Sequence, residues 1–160
     1  METVPLDALE GAGLRRACLV GLGGERFAVD VRQAREIVVL ESLTRVPGAP
    51  APLLGITNLR GTVLPVADVR PLLGLPARPV SAGTQAVILA EDDLRAAIPI
   101  DRVLGLDWFG EPHDLSDAAR RALGSLARGV LSRGDERFTL LDAHAVLDAL
   151  RSGWSKGGSS

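Results

Sequence analysis

The stretch Gly55-Ile56-Thr57-Asn58-Leu59-Arg60-Gly61-Thr62-Val63-Leu64-Pro65-Val66-Ala67-Asp68 decides how the rest of the chain is read. It sets one apolar run against another across the polar break Asn58-Leu59-Arg60-Gly61, the pattern of two strands joined by a tight turn. The second strand is expected to stop at Pro65 or soon after, because proline has no N–H to give to a ladder. An arginine held at such a turn faces solvent on a rigid support, which suits it to recognising a partner. The flanking residues hold no catalytic grouping. The stretch therefore reads as part of a binding module rather than an enzyme.

The same plan recurs along the chain. Residues 17–22 and 26–31 flank Gly23-Gly24-Glu25, residues 86–90 and 95–100 flank Glu91-Asp92-Asp93, and residues 128–132 and 137–141 flank Arg133-Gly134-Asp135-Glu136. Short apolar runs split by Gly, Asp, Asn and Arg turns are hairpin signatures. The four hairpins fall into two matching halves. Ala28 to Ile37 lines up with Ala97 to Leu106, a strand passing through a brief polar break into a second apolar strand. Gly55 through Arg60-Gly61 to Asp68 lines up with Gly129 through Arg133-Gly134 to Asp142, and each copy then enters a helical turn. A two-fold repeat in a mainly β pattern predicts two small barrels, each closing a sheet to remove its edges.

One segment departs from this pattern. Ser116 is placed to cap a helix over residues 116–127, with Asp117 in its first turn and Ala119, Ala122, Leu123 and Leu126 on one face. Arg120, Arg121 and Arg128 fall opposite, on what reads as a solvated face. Residues 1–16 mix small, acidic and proline residues without periodicity and are expected to form a flexible arm. The Gly/Ser-rich residues 152–160 are expected to be a disordered tail. Residues 17–151 form the folded unit.

Composition removes several classes of function. Hydrophobic residues make up 46% and charged residues 24% of the 160, a globular balance that excludes wholesale disorder. The formal net charge is -2, with no basic stripe interleaved with aromatics, so nucleic acid is not an expected partner. No window reaches the ~18 apolar residues of a membrane span, and the run after Arg15-Arg16 is too short for a signal-peptide core. With one cysteine, Cys18, in an apolar run, the expected location is cytoplasmic.

The search for chemistry ends without a site. Gly21-Leu22-Gly23-Gly24 lacks the third glycine of a dinucleotide fingerprint, and a strand follows it where a helix is needed. There is no Walker-type Gly-Lys motif, the single lysine being Lys156, and no Gly-x-Ser-x-Gly turn. His113 and His144 have no partner at metal-ligand spacing, and Asp92, Asp93 and Asp107 lack the pattern of a calcium loop. No cofactor, metal or catalytic residue is expected. Recognition remains. Glu36 interrupts the apolar run around Ile37-Val38-Val39-Leu40 and needs a partner or solvent, and Arg60 is a candidate cation. Two readings of that pair stand side by side: an exposed ion pair that contributes little to stability, or a pair whose charges exchange with those of a partner.

These residues together resemble the CheW family, the adaptor proteins of bacterial chemosensory arrays. The resemblance begins at Leu19-Val20-Gly21-Leu22-Gly23-Gly24-Glu25-Arg26-Phe27-Ala28-Val29-Asp30-Val31. It continues through Ala34-Arg35-Glu36-Ile37 and Thr44 to Pro50, is strongest over Leu54 to Leu73, and spans about Cys18 to Leu150. It implies two five-stranded SH3-like barrels with short helices and a C-terminal helix. It also implies a non-catalytic adaptor between the cytoplasmic tips of chemoreceptors and the regulatory domain of a CheA-type histidine kinase, recruited to membrane-bound receptor arrays without inserting into the membrane. By that resemblance Glu36 and Arg60 belong to the partner-binding surface. Gly55, Asn58, Leu59 and Gly61 form the motif that presents the arginine, and Ala34 is a smaller contact near the receptor groove. The same fold also serves chemosensory systems that control pili, gliding or development. The region from Asp107 to Leu126 matches only loosely.

Overall fold

The computed structural model describes residues 14–157. Every expected hairpin is present. β1 (Arg15–Leu22) turns through Gly23-Gly24 into β2 (Glu25–Asp30), and β4 (Leu53–Leu59) turns through Arg60-Gly61 into β5 (Thr62–Ala67). β6 (Gln85–Glu91) and β7 (Leu94–Pro99), then β9 (Ala127–Arg133) and β10 (Glu136–Leu141), complete the set. Each turn has two residues between the last paired positions, the length that matches the right-handed twist of the strands. β3 (Ala34–Val39) and β8 (Arg102–Phe109) follow the first and third hairpins. β5 runs two residues past Pro65. Pro65 lies opposite Ile56, whose N–H and C=O both turn away to Thr44, so β4 asks no hydrogen bond of the proline.

The strands form two five-stranded sheets, β8-β1-β2-β10-β9 and β3-β6-β7-β5-β4. Neither sheet is a contiguous half of the chain. The first repeat gives β1 and β2 to one sheet and β3, β4 and β5 to the other; the second gives β6 and β7 to the latter and β8, β9 and β10 to the former. The junctions are short parallel pairings, Phe27 and Ala28 with Thr139 and Leu140, and Val66 with Ala97. The repeat extends to its irregularities. The register of β3 skips Arg35, and that of β8 skips Leu104, which are equivalent positions in the two copies. Each is a β-bulge, one extra residue that bends the strand.

A bridge closes each sheet into a barrel. Beyond β3, Thr44 exchanges two hydrogen bonds with Ile56 of β4, both 2.9 Å; beyond β8, His113 does the same with Val130 of β9 at 2.8 and 2.9 Å. A glycine precedes the bridged residue both times. A Cβ on Gly55 would stand 2.4 Å from the Thr44 carbonyl oxygen, and one on Gly129 would stand 2.7 Å from that of His113. Only a residue without a side chain allows the bridging strand so close.

The core has three parts. Ala17, Leu19, Ala28, Leu131, Phe138 and Leu140 fill the first barrel, and Leu40, Leu64, Val66, Ala86, Ile88 and Ala97 fill the second. Between them lies the largest cluster, where Cys18, Val20, Leu22, Val29, Val87, Leu89 and Ile98 meet Val146, Leu147 and Leu150 of a C-terminal helix. β1, β2, β6 and β7 are thus buried on both faces, and this is why they read as continuous apolar runs rather than alternating ones. Burial pushes the Cys18 thiol above its ordinary value, as suits an inert core residue.

Among the described residues, three α-helices complete the fold: α1 (Arg70–Leu73), α2 (Asp117–Leu123) and α3 (Ala143–Gly157). Ser116 caps α2 as expected, its Oγ accepting the Ala119 N–H at 3.1 Å. The helix is shorter than the predicted 116–127. Gly124, at φ 55°, ends it, a 3-10 turn covers Gly124–Leu126, and β9 begins at Ala127. Leu123 and Leu126 pack against the shared core, whereas Ala122, Arg120 and Arg121 are exposed. The expected boundaries also move at both termini. Arg15 and Arg16 belong to β1, because β8 pairs with them; α3 continues past Ser152 to Gly157. The rest of the expected arm and tail, residues 1–13 and 158–160, lies outside the described residues.

Candidate functional site

The Arg60 turn is built from its own residues. Arg60 has φ 50° and Gly61 φ 86°, the left-handed pair that a type I′ turn requires. Gly61 meets that demand without strain, but an L-arginine does not. Asn58 supports the geometry, its Oδ1 accepting the Gly61 N–H at 2.8 Å. The result is a guanidinium at the tip of the β4–β5 hairpin with a side-chain exposure of 68%.

That guanidinium reaches across to β3. Arg60 Nη2 donates to Glu36 Oε1 at 2.6 Å, a charge-assisted bond between the two edge strands of the sheet. The bond and the charge of Glu36 raise the guanidinium further above its ordinary value, so Arg60 is a permanent cation. Because the pair is mostly in water, it adds little to stability and exchanges readily with outside charges. Beside it, residues 38–41 and 57–60 line an open groove with buried Ile88 at its base. Val39 and Val63, 55% and 59% exposed, put apolar surface next to the pair.

Of the seven residues singled out in the sequence, five group here: Glu36, Asn58, Leu59, Arg60 and Gly61. The other two need correcting as surface contacts. Ala34 is buried in the core between the barrels, facing Leu89 across β3 and β6. Gly55 is buried beneath Thr44, where it permits barrel closure. Both act on the scaffold.

The echo of Arg60-Gly61 at Arg133-Gly134 is offset by one residue. Arg133 pairs with Glu136 as the last residue of β9, so it precedes the turn that Arg60 occupies. Its guanidinium lies 5.3 Å from the Phe138 ring centroid, bonds Glu136 at 3.1 Å and donates to the Leu104 carbonyl at 3.5 Å. Arg133 is therefore committed to its own barrel, while Arg60 points away from its own.

Sequence reading missed a second charged group. Asp101, between β7 and β8, accepts the Gly23 N–H at 2.7 Å and a bond from Arg70 Nη2 at 2.7 Å, and its carboxylate lies 2.8 Å from Arg78 Nη1 as an ion pair. Gly23 belongs to one barrel and Arg70 to the helix beside the other, so one carboxylate ties the two together. Arg70 is 2% exposed, with Asp68 3.6 Å away as its only other carboxylate among the described residues. Burial pushes the Asp101 carboxyl up, but the Gly23 and Arg70 hydrogen bonds and the charges of Arg70 and Arg78 outweigh it and hold it below its ordinary value. The signal was available: an arginine inside the apolar run Val66 to Leu75 needs a carboxylate. At the equivalent junction, burial pushes Asp30 up, and two hydrogen bonds and the charge of Arg32, with Arg15 adding to them, hold it lower.

Among the described residues, Glu91, Asp92 and His144 bring potential metal-ligand atoms within 4.8 Å of one another. Asp92 and His144 are exposed, and His144 lies in the first turn of α3, whose positive dipole end opposes a cation. No helix among these residues is long and apolar enough to cross a membrane.

Known proteins agree with this architecture. The CheW-like domain model matches residues 16–151. The chain is 30% identical over 132 residues to the chemotaxis protein CheW of Helicobacter pylori, covering 79% of this chain and 77% of that one. It is 28% identical over 129 residues to the chemotaxis protein CheW of Bacillus subtilis, covering 79% and 83%. The crystal structure of the scaffolding protein TtCheW from Thermoanaerobacter tengcongensis superposes with a TM-score of 0.72 at 22% identity, over 82% of this chain and 91% of that one. Match length, fold and motif agree: the chain belongs to the CheW-like domain family.

Proposed function

We propose that this non-catalytic chemotaxis adaptor couples the cytoplasmic tips of chemoreceptors to the regulatory domain of a CheA-type histidine kinase, using the face that carries Glu36 and Arg60. The observation that carries the reading is the placement of Arg60. A left-handed backbone at a non-glycine turn residue costs free energy, and here it aims an exposed cation outward instead of into the fold. The adjoining exposed valines supply the apolar contact that a docking surface needs, and the charged pair sets register and specificity at its rim. Asn58, Leu59 and Gly61 hold the arginine in place, and Ala34 and Gly55 act beneath them. Contact with receptors would bring the adaptor to membrane arrays without any insertion of its own.

Reconstituted receptor, kinase and adaptor test this. Arg60→Ala and Glu36→Ala are each expected to reduce receptor-dependent kinase stimulation by at least tenfold while leaving thermal unfolding unchanged. The charge swap Glu36→Arg with Arg60→Glu restores the internal pair but should not restore stimulation. Wild-type stimulation in both single variants would remove this face from the interaction.

A further inference from the structure

The groove beside Arg60 is lined by two strand edges that, among the described residues, pair with no further strand beyond the Thr44–Ile56 bridge. Ile56 of β4 donates to and accepts from Thr44, so its backbone groups face away from β5. Asn58 lies two residues further along the strand and turns its N–H and C=O to the same side, but among the described residues the ladder does not extend back from Thr44 to Ser42, the position opposite Asn58, to meet them. On the opposite wall the parity runs the other way. Leu40 bonds Thr84 and Gly83 on the β6 side, so the N–H and C=O of Val39 face into the groove, and those of Ile37 lie on the same edge. β3 and β4 end the sheet order at opposite sides, and among the described residues only the Thr44–Ile56 bridge joins those sides through the backbone.

The sister barrel shows what a filled opening looks like. There the gap between β8 and β9 is crossed by Arg133, whose guanidinium bonds the carbonyl of Leu104, the bulged residue that β1 leaves without a register partner. At the equivalent place in the β3–β4 gap, the crossing is the exposed Arg60–Glu36 bond at the rim, and the backbone edges behind it stay open. Bare edges of this kind recruit strands.

We propose that the β3–β4 opening accepts an extended segment of a partner protein as an added strand, with a carboxylate of that segment taking Arg60 from Glu36. The backbone supplies the affinity, through the Ile37 and Val39 edge on one side and the Asn58 edge on the other. The walls, residues 38–41 and 57–60, are four residues long, so the inserted segment is about four to five residues, roughly 13–17 Å. Its side chains would alternate between buried Ile88 on one face and exposed Val39 and Asn58 on the other. The displaced Glu36 and neighbouring Glu41 leave a negative end that favours a basic residue beyond the segment. This rests on the adaptor reading above and adds the manner of docking.

The experiment uses the intact chain with the purified kinase regulatory domain as probe, reading amide hydrogen exchange and binding affinity. Complex formation is expected to slow exchange at Ile37, Val39 and Asn58 by at least tenfold. Val39→Pro, which removes one groove-facing N–H where no internal bond depends on it, should weaken binding at least tenfold, while Val39→Thr stays within about twofold of wild type. If the domain binds, and Arg60→Ala abolishes binding, while exchange at the three amides is unchanged and Val39→Pro binds normally, docking is by side chains alone. Strand addition is then overturned and the adaptor reading stands. If neither the regulatory domain nor a receptor tip binds the wild-type chain, the adaptor reading fails and strand addition falls with it. The exchange measurement needs no variant, so a folding defect in Val39→Pro leaves the question decided.

Discussion

Replacing Asp101 with alanine should destabilise the chain more than replacing any other exposed or half-exposed polar residue described above. The carboxylate accepts two hydrogen bonds, from Gly23 and Arg70, both at 2.7 Å, and forms an ion pair with Arg78 at 2.8 Å. The Arg78 ion pair contributes little, because that side chain is 61% exposed and screened by water. Arg70 decides the magnitude. At 2% exposure it would remain a buried cation facing, among the described residues, only Asp68 at 3.6 Å, and its Nε and Nη1 already lack hydrogen-bond partners there. Removing one member of such a pair costs about 3–5 kcal/mol. For a chain of this size that lowers Tm by about 6–20 °C and the urea midpoint by about 1.5–2.5 M. Asp101→Asn keeps one acceptor oxygen and should cost about half as much. Pairing Asp101→Leu with Arg70→Met should recover most of the loss, because no charge is then stranded. The pH dependence has a defined sign. The folded-state carboxyl of Asp101 lies below its ordinary value, so its contribution is complete above about pH 4 and disappears as pH falls through the lowered value. Wild type should therefore lose stability on acidification, and Asp101→Ala should lose less. An alanine variant within about 1 kcal/mol of wild type, with the same acid limb, would refute the assignment of Asp101 as the tie between the barrels.

Gly55→Ala and Gly129→Ala should each cost about 2 kcal/mol or more in urea melts, since both place a methyl inside van der Waals distance of a bridging carbonyl. Arg60→Asn should raise Tm by about 1–3 °C while abolishing kinase stimulation, because asparagine tolerates the left-handed turn that arginine strains. Ser116→Ala should cost about 1 kcal/mol, with faster amide exchange at Ala119 and no effect on partner binding.

The hairpins were legible because each rests on a local, two-residue turn rich in Gly, Asp or Arg, and local signals survive in a sequence. The repeat was legible for the same reason, down to the aligned positions that became bulges at Arg35 and Leu104. The exchange of strands between sheets was not, because it depends on Phe27 meeting Thr139 and Val66 meeting Ala97, short pairings of distant residues that leave no periodicity. At the site, Glu36 and Arg60 stood out as charges in apolar surroundings, and the fold brings them to 2.6 Å. Ala34 and Gly55 were placed by the family resemblance, whereas burial is set by strand parity and barrel closure. The Arg133 echo misled by one residue because a single-residue offset moves an arginine from the turn to the strand end, and so from solvent to a ring face.

The crossing of segments between barrels also bears on ancestry. A polypeptide with one repeat carries five strands, but only two belong to one sheet and three to the other. Such a chain cannot close either barrel alone; it needs a second copy to supply the missing strands. A half-length ancestor of this fold would have been an obligate, strand-swapped homodimer. In the present chain the two copies differ at that hairpin: Arg133, the last residue of β9, turns onto its own barrel, and Arg60, in the β4–β5 turn, points outward.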